Sequence, residues 1–76
     1  MQKRFRKEID GKAAEVWIEV GLLRYKAELY ENGEFIQRQR GRRSRTEESR
    51  IFLSGREFSA LLHLDPDKTI RCTWSR

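Results

Sequence analysis

The first forty residues alternate between apolar and polar positions with the period of two that a strand shows when one face lies in a core. Two β-prone runs, Lys3 to Ile9 and Ala13 to Val20, flank Asp10-Gly11, and two more, Leu22 to Glu31 and Glu34 to Arg40, flank Asn32-Gly33. Both dipeptides accept positive φ at the central positions of a type I′ turn, so each predicts a two-residue hairpin. Gly21 separates the hairpins as a bulge or tight bend, and the four runs together predict an antiparallel meander. A helix over Ala13 to Glu31 is the competing assignment. The Val16-Trp17-Ile18 run, Tyr25 to Tyr30 and the two bracketing turns favour strands.

Loop length sets register. Around Asp10-Gly11, Phe5 should oppose Val16, Lys3 should oppose Ile18, Arg4 should oppose Trp17 and Arg6 should oppose Glu15. Phe5, Ile9, Val16, Ile18 and Val20 then share a core face. Around Asn32-Gly33, the expected pairs are Glu31 with Glu34, Tyr30 with Phe35, Leu29 with Ile36, Ala27 with Arg38 and Tyr25 with Arg40. One face then carries Leu23, Tyr25, Ala27, Leu29 and Ile36 and turns basic at Arg38 and Arg40. The other, with Arg24, Lys26, Glu28, Gln37 and Gln39, is solvated.

Beyond Arg40 the alternation stops, and the stretch at about 41–50 reads as a mobile arginine-rich loop. Ile51-Phe52-Leu53 is a short strand or an extended entry to a helix. Ser54-Gly55-Arg56-Glu57 fits a capping box, Leu53 and Phe58 fit a hydrophobic staple, and Phe58, Leu61 and Leu62 fall at i, i+3 and i+4. A helix is therefore predicted to run to about Leu64 and to stop before Asp65-Pro66. Ile70, Cys72 and Trp74 alternate with Arg71, Thr73 and Ser75 in a last strand. The expected fold class is α+β, an antiparallel meander of four or five strands with one short helix packed on one face, in a single domain over 1–76.

Composition sharpens this picture in two ways. At 76 residues the core is small enough that a dimer or a bound partner would help to hold it, yet the patterning argues against disorder. No run of about 18 apolar residues, signal peptide or lipidation motif is present, which predicts a soluble cytoplasmic protein. The lone Cys72 fits a reducing compartment and reads as a small core residue.

The net charge of +5 is unevenly placed. From Ile36 to Arg50, Arg38, Arg40, Arg42, Arg43, Arg45 and Arg50 face only Glu47 and Glu48, and near the start Lys3, Arg4, Arg6, Lys7 and Lys12 face only Glu8 and Asp10. The middle of the chain, Ala13 to Phe35, is acidic. Clustered arginines bind phosphate bidentately and stack on bases, so the expected site is Arg38, Arg40, Arg42, Arg43 and Arg45, joined by Lys3, Arg4, Arg6 and Lys7, with Tyr25 as a stacking partner. The plainer alternative is a solvated basic loop kept for solubility, and cross-strand aromatics that only stiffen a sheet.

Chemistry beyond phosphate contact finds little support. His63 has no second histidine or cysteine at ligand spacing, Ser54 reads as a cap, Asp65 and Asp67 flank a turn, and no glycine-rich phosphate loop is present. No enzyme activity, cofactor or metal is expected. Arg50 to Leu62 resembles the strand-to-helix corner of the single-strand-binding transcriptional coactivator fold, and with the arginines before it is similar to the end of the triphosphate-tunnel enzymes. The chain lacks the tunnel family's opening Glu-x-Glu-x-Lys, and its strand after Pro66 departs from the coactivator pattern. Neither resemblance assigns it to a family.

The expected function is non-enzymatic binding of DNA or RNA by an arginine-rich loop and a basic sheet face. The alternative is a small adaptor or inhibitor, accessory or phage-like, that meets an acidic protein surface or pairs through a sheet edge. A homodimer through an edge strand is compatible with either.

Overall fold

The computed structural model describes residues 1–75. Seven antiparallel strands make two sheets: β1 (Gln2–Ile9), β2 (Lys12–Val20), β3 (Arg24–Glu31), β4 (Glu34–Arg42), β5 (Ser49–Ser54), β6 (Ser59–Leu64) and β7 (Ile70–Ser75). The first sheet is the meander β1-β2-β3-β4 and the second the meander β5-β6-β7. Their inner faces meet in one core, where Val16, Ile18, Val20, Ala27 and Leu29 lie against Ile51, Leu53, Phe58, Ala60, Leu62 and Leu64. Both turn dipeptides adopt the positive φ that I′ geometry demands, with Asp10 at 52° and Gly11 at 75°, and Asn32 at 50° and Gly33 at 81°. The β1–β2 register is the expected one, Phe5 opposite Val16 and Arg4 opposite Trp17.

The fold class differs from expectation: it is all-β, with no helix among the described residues. Phe58, Ala60, Leu62 and Leu64 are all buried while Leu61 lies half-buried on the other face, so the segment follows a period of two, and only Phe58 and Leu62 of the expected helical triplet share the core side. As the central strand of the second sheet it pairs on both sides, with β5 and β7, and gains more backbone hydrogen bonds than a two-turn helix could. The capping box fails because its amides are already engaged. Ser54 donates its N–H to Gln37 Oε1 at 2.8 Å, and the amides of Arg56, Glu57 and Phe58 donate to the Glu31 carboxylate at 3.0, 3.0 and 2.9 Å. With the helix goes the resemblance of Arg50 to Leu62 to a strand-to-helix corner.

The second hairpin holds its expected register only next to the turn. Glu31 opposes Glu34 and Tyr30 opposes Phe35, but Leu29 then opposes Gln37, Ala27 opposes Gln39 and Tyr25 opposes Gly41. Ile36 is the extra residue of a β-bulge. Without it, Arg38 and Arg40 would point into the core beside Ala27, and burying unpaired guanidinium groups is prohibitive. The bulge keeps Ile36 against the core and turns every later arginine of β4 outward.

Gly41 gains its meaning from this shift. The Tyr25 ring lies over it so closely that an added Cβ would sit 2.6 Å from the phenol oxygen and 2.8 Å from Cζ. Gly41→Ala should therefore displace the ring at a cost of about 1–3 kcal/mol. A thermal melt checks it: a melting temperature unchanged from wild type would show that the ring does not need this seat.

Candidate nucleic-acid interface

The outer face of the first sheet is assembled row by row from register. Arg24 stands opposite Arg42, Lys26 opposite Arg40, Glu28 opposite Arg38 and Tyr30 opposite Phe35 along β3 and β4. Across β2 and β1 the same rows continue through Glu19 and Gln2, Trp17 and Arg4, and Glu15 and Arg6. Seven cations (Arg4, Arg6, Arg24, Lys26, Arg38, Arg40, Arg42) thus share a face with four carboxylates (Glu8, Glu15, Glu19, Glu28).

The carboxylates are not evenly spent. Arg6 binds Glu8 at 3.0 Å and Glu15 at 3.2 Å, and these hydrogen bonds, Glu8 first, hold its guanidinium pKa above the ordinary value. Arg38 binds Glu28 at 2.9 Å. The Trp17 indole donates to Glu15 at 3.1 Å, the leading cause of that carboxyl's depressed pKa. At the other end Arg24 and Arg42, and Lys26 and Arg40, are like charges directly opposed across the ladder, none of them in an ion pair with a described carboxylate. Opposed like charges destabilise a sheet, so this block costs the fold stability.

The aromatic strip beside the block is already occupied. Trp17 and Tyr30 have ring centroids 5.5 Å apart, and Tyr30 meets Phe35 edge-on at 5.7 Å. The Arg4 guanidinium lies 4.3 Å from the Trp17 ring and that of Arg38 5.3 Å from the Phe35 ring. These stacks flatten the surface and fix two cations on it.

The expected site residues are divided among several places. Arg38, Arg40, Arg42, Arg4 and Arg6 share the outer face. Gly41 and Arg42 belong to β4 and Ser49 and Arg50 to β5, so the connection is only 43–48. Arg45 is exposed there, but Arg43 is folded onto the domain: its backbone N–H donates to Leu23 O, and its guanidinium donates to Gly21 O at 3.2 Å and Pro66 O at 2.6 Å. Ser44 Oγ accepts the amides of Thr46 and Glu47 and shapes the turn. Lys3 reaches Ile70 O at 3.5 Å and ties β1 to β7, while Lys7 lies on the opposite side of β1 from Arg4 and Arg6. Tyr25 packs over Gly41 against the core. Arg24 and Lys26 belong to the block although sequence reasoning left them on an ordinary solvated face. The signal that could have found them is the Arg-x-Arg-x-Arg alternation of β4, which runs in the same period-two phase as Ile36 and so demands a bulge that shifts the register.

The remaining polar clusters are structural. Glu48 accepts from Arg71 at 2.8 Å and Arg50 at 3.1 Å and contacts His63 Nδ1 at 3.0 Å. These partners, the His63 hydrogen bond first, hold its pKa down at about 2. A depressed carboxylate stabilises the fold above its ordinary pKa near 4.5 and loses that contribution as pH falls toward 2. The acid side of a stability-versus-pH curve should accordingly flatten in Glu48→Gln, and a curve superimposable on wild type would contradict this. Burial pushes the Cys72 thiol up to about 11, leaving it protonated at neutral pH. Asp67 caps its own turn through the Thr69 amide. Among the described residues no group of three His, Cys, Asp or Glu side chains could hold a metal ion, and no helix is long and apolar enough to cross a membrane.

A shallow groove of about 730 Å³ follows the block, lined by Arg24, Lys26, Arg40 and Arg42 together with Leu22, Leu23, Glu19 and Tyr25. Comparison with protein-family models, with curated proteins and with solved structures finds no match for the chain.

Proposed function

We propose that this protein binds nucleic acid without catalysis, through the outer face of its four-stranded sheet. The observation that carries the reading is the block of opposed like charges, Arg24 with Arg42 and Lys26 with Arg40, in which only Lys26 has a carboxylate, Glu19, across the ladder and none makes an ion pair with a described carboxylate. Phosphates would relieve that repulsion, since each guanidinium can take two phosphate oxygens and releases condensed counterions as it does so. Arg4 and Arg45 extend the contact. Phosphate contacts of this kind carry no sequence information, so the affinity is mainly electrostatic.

A gel-shift panel of single- and double-stranded DNA and RNA tests this. Retention is expected at about 50 mM salt and loss of most of it by about 200 mM, the behaviour of binding dominated by phosphate contacts. Absence of any retained species at the lower salt overturns the reading.

A further inference from the structure

We infer that Leu22 and Leu23 form an apolar wedge that enters between neighbouring base pairs of a duplex whose phosphates are held by Arg24, Lys26, Arg40 and Arg42. This rests on the nucleic-acid reading above and adds to it the class of nucleic acid, a deformable double strand, and the effect of binding on it.

The two leucines are the most exposed large apolar side chains among the described residues, at 75% and 59%. A single exposed leucine needs no explanation, but this pair stands on a built support. Gly21 N–H donates to Arg24 O at 2.8 Å and closes the turn between β2 and β3, and Arg43 N–H donates to Leu23 O at 2.9 Å. The Arg43 guanidinium fastens the same turn to Gly21 O and to the Pro66 carbonyl of the β6–β7 turn, at the expense of a buried Nε with no partner. Anchored in this way, the turn holds its leucines outward instead of letting them fold onto the core. That is preorganisation for an apolar partner.

The partner's chemistry follows from what lies beside the wedge. The leucines share one groove with the four cations, and its single carboxylate, Glu19, leaves the lining strongly positive, so the occupant presents dense negative charge outside and apolar surface within reach of a side chain. A duplex does so, with phosphates outside and stacked bases inside. The cations run back along the sheet in two rows, Arg24 with Arg42 and then Lys26 with Arg40, a track suited to a polyanionic backbone and unlike a ring around a membrane-inserting tip. The aromatic rings of the face are already stacked on Arg4 and Arg38, and aliphatic side chains offer a splayed base no π surface. Leucines act instead as spacers that part stacked bases and bend the duplex.

The test is the emission of 2-aminopurine placed at successive steps of a duplex and titrated with the full chain or with L22A/L23A. Wild type is expected to raise the emission at flexible pyrimidine–purine steps. L22A/L23A should melt like wild type, keep its salt dependence, bind roughly tenfold more weakly for want of the apolar contact, and leave the probe stacked. Wild-type binding without a change in emission, or a variant that still raises it, overturns the wedge alone. Failure to retain any duplex at about 50 mM salt overturns the reading beneath it as well. Leucine-dependent binding to anionic vesicles but not to duplex assigns the tip to lipid and overturns the wedge.

Discussion

Glu31→Ala is expected to lower the melting temperature by roughly 15 °C or more, the equivalent of about 3 kcal/mol in a domain of this size. Among the described residues Glu31 is the one buried charged residue, 6% exposed, and it projects from the first sheet to accept three consecutive amides of the loop between β5 and β6. Burial alone would raise its pKa, but the amides of Glu57, Phe58 and Arg56 outweigh burial and the value is depressed. Removing the carboxylate leaves those donors without partners in a place that water barely reaches, and each such loss costs about 1–3 kcal/mol. Glu31→Gln keeps the shape but turns an amide donor toward donors, so it should fall between wild type and alanine.

The sign of the pH dependence follows from the depressed pKa. The contribution of Glu31 is complete above the ordinary carboxylate value near 4.5 and fades as pH falls through the lower folded-state value. Denaturant midpoints measured from pH 6 downward should show a steeper acid loss in wild type than in Glu31→Ala. Equal midpoints at neutral pH would mean that the carboxylate does not join the sheets. Gly55 belongs to the same device, since an added Cβ there would land on the Glu31 carboxylate.

Arg24→Ala/Arg40→Ala/Arg42→Ala is expected to abolish retention of nucleic acid at about 100 mM salt while melting at or slightly above the wild-type temperature. Each arginine removed takes away about one phosphate contact and flattens the salt slope by about one. Each also relieves cross-strand repulsion worth a few tenths of a kcal/mol. The opposite pattern is expected of Arg43→Ala, which loses hydrogen bonds to Gly21 O and Pro66 O and so lowers the melting temperature first. Gel shifts and melts on the two proteins separate a binding block from a structural fastener. A triple variant that unfolds, or that binds like wild type, removes the basis for the distinction.

Much of the first sheet was legible because its signals are local. Asp10-Gly11 and Asn32-Gly33 dictate their own backbone, and loop length carries the register outward from them. That inference failed where a non-local constraint entered: the cost of turning Arg38 and Arg40 into a core made of the second sheet is invisible in the hairpin itself, and a bulge at Ile36 resolves it. The helix misassignment has the same origin. Ser54, Glu57 and Phe58 satisfy every local rule for a helix start, yet the Ser54 amide is taken by Gln37 and those of Arg56, Glu57 and Phe58 by Glu31, all far earlier in the chain. The cationic block was half visible. Arg40 and Arg42 stood out by density, whereas Arg24 and Lys26 became partners only once the shifted register placed them opposite.

The most direct test of the account is the salt dependence of wild-type affinity for a labelled duplex, measured by anisotropy from about 50 to 200 mM salt. With Arg24, Lys26, Arg40 and Arg42 each displacing counterions, log K should fall against log[salt] with a slope of roughly −4. A slope near zero, or no binding at the lowest salt, would contradict it and leave the face to an acidic protein surface.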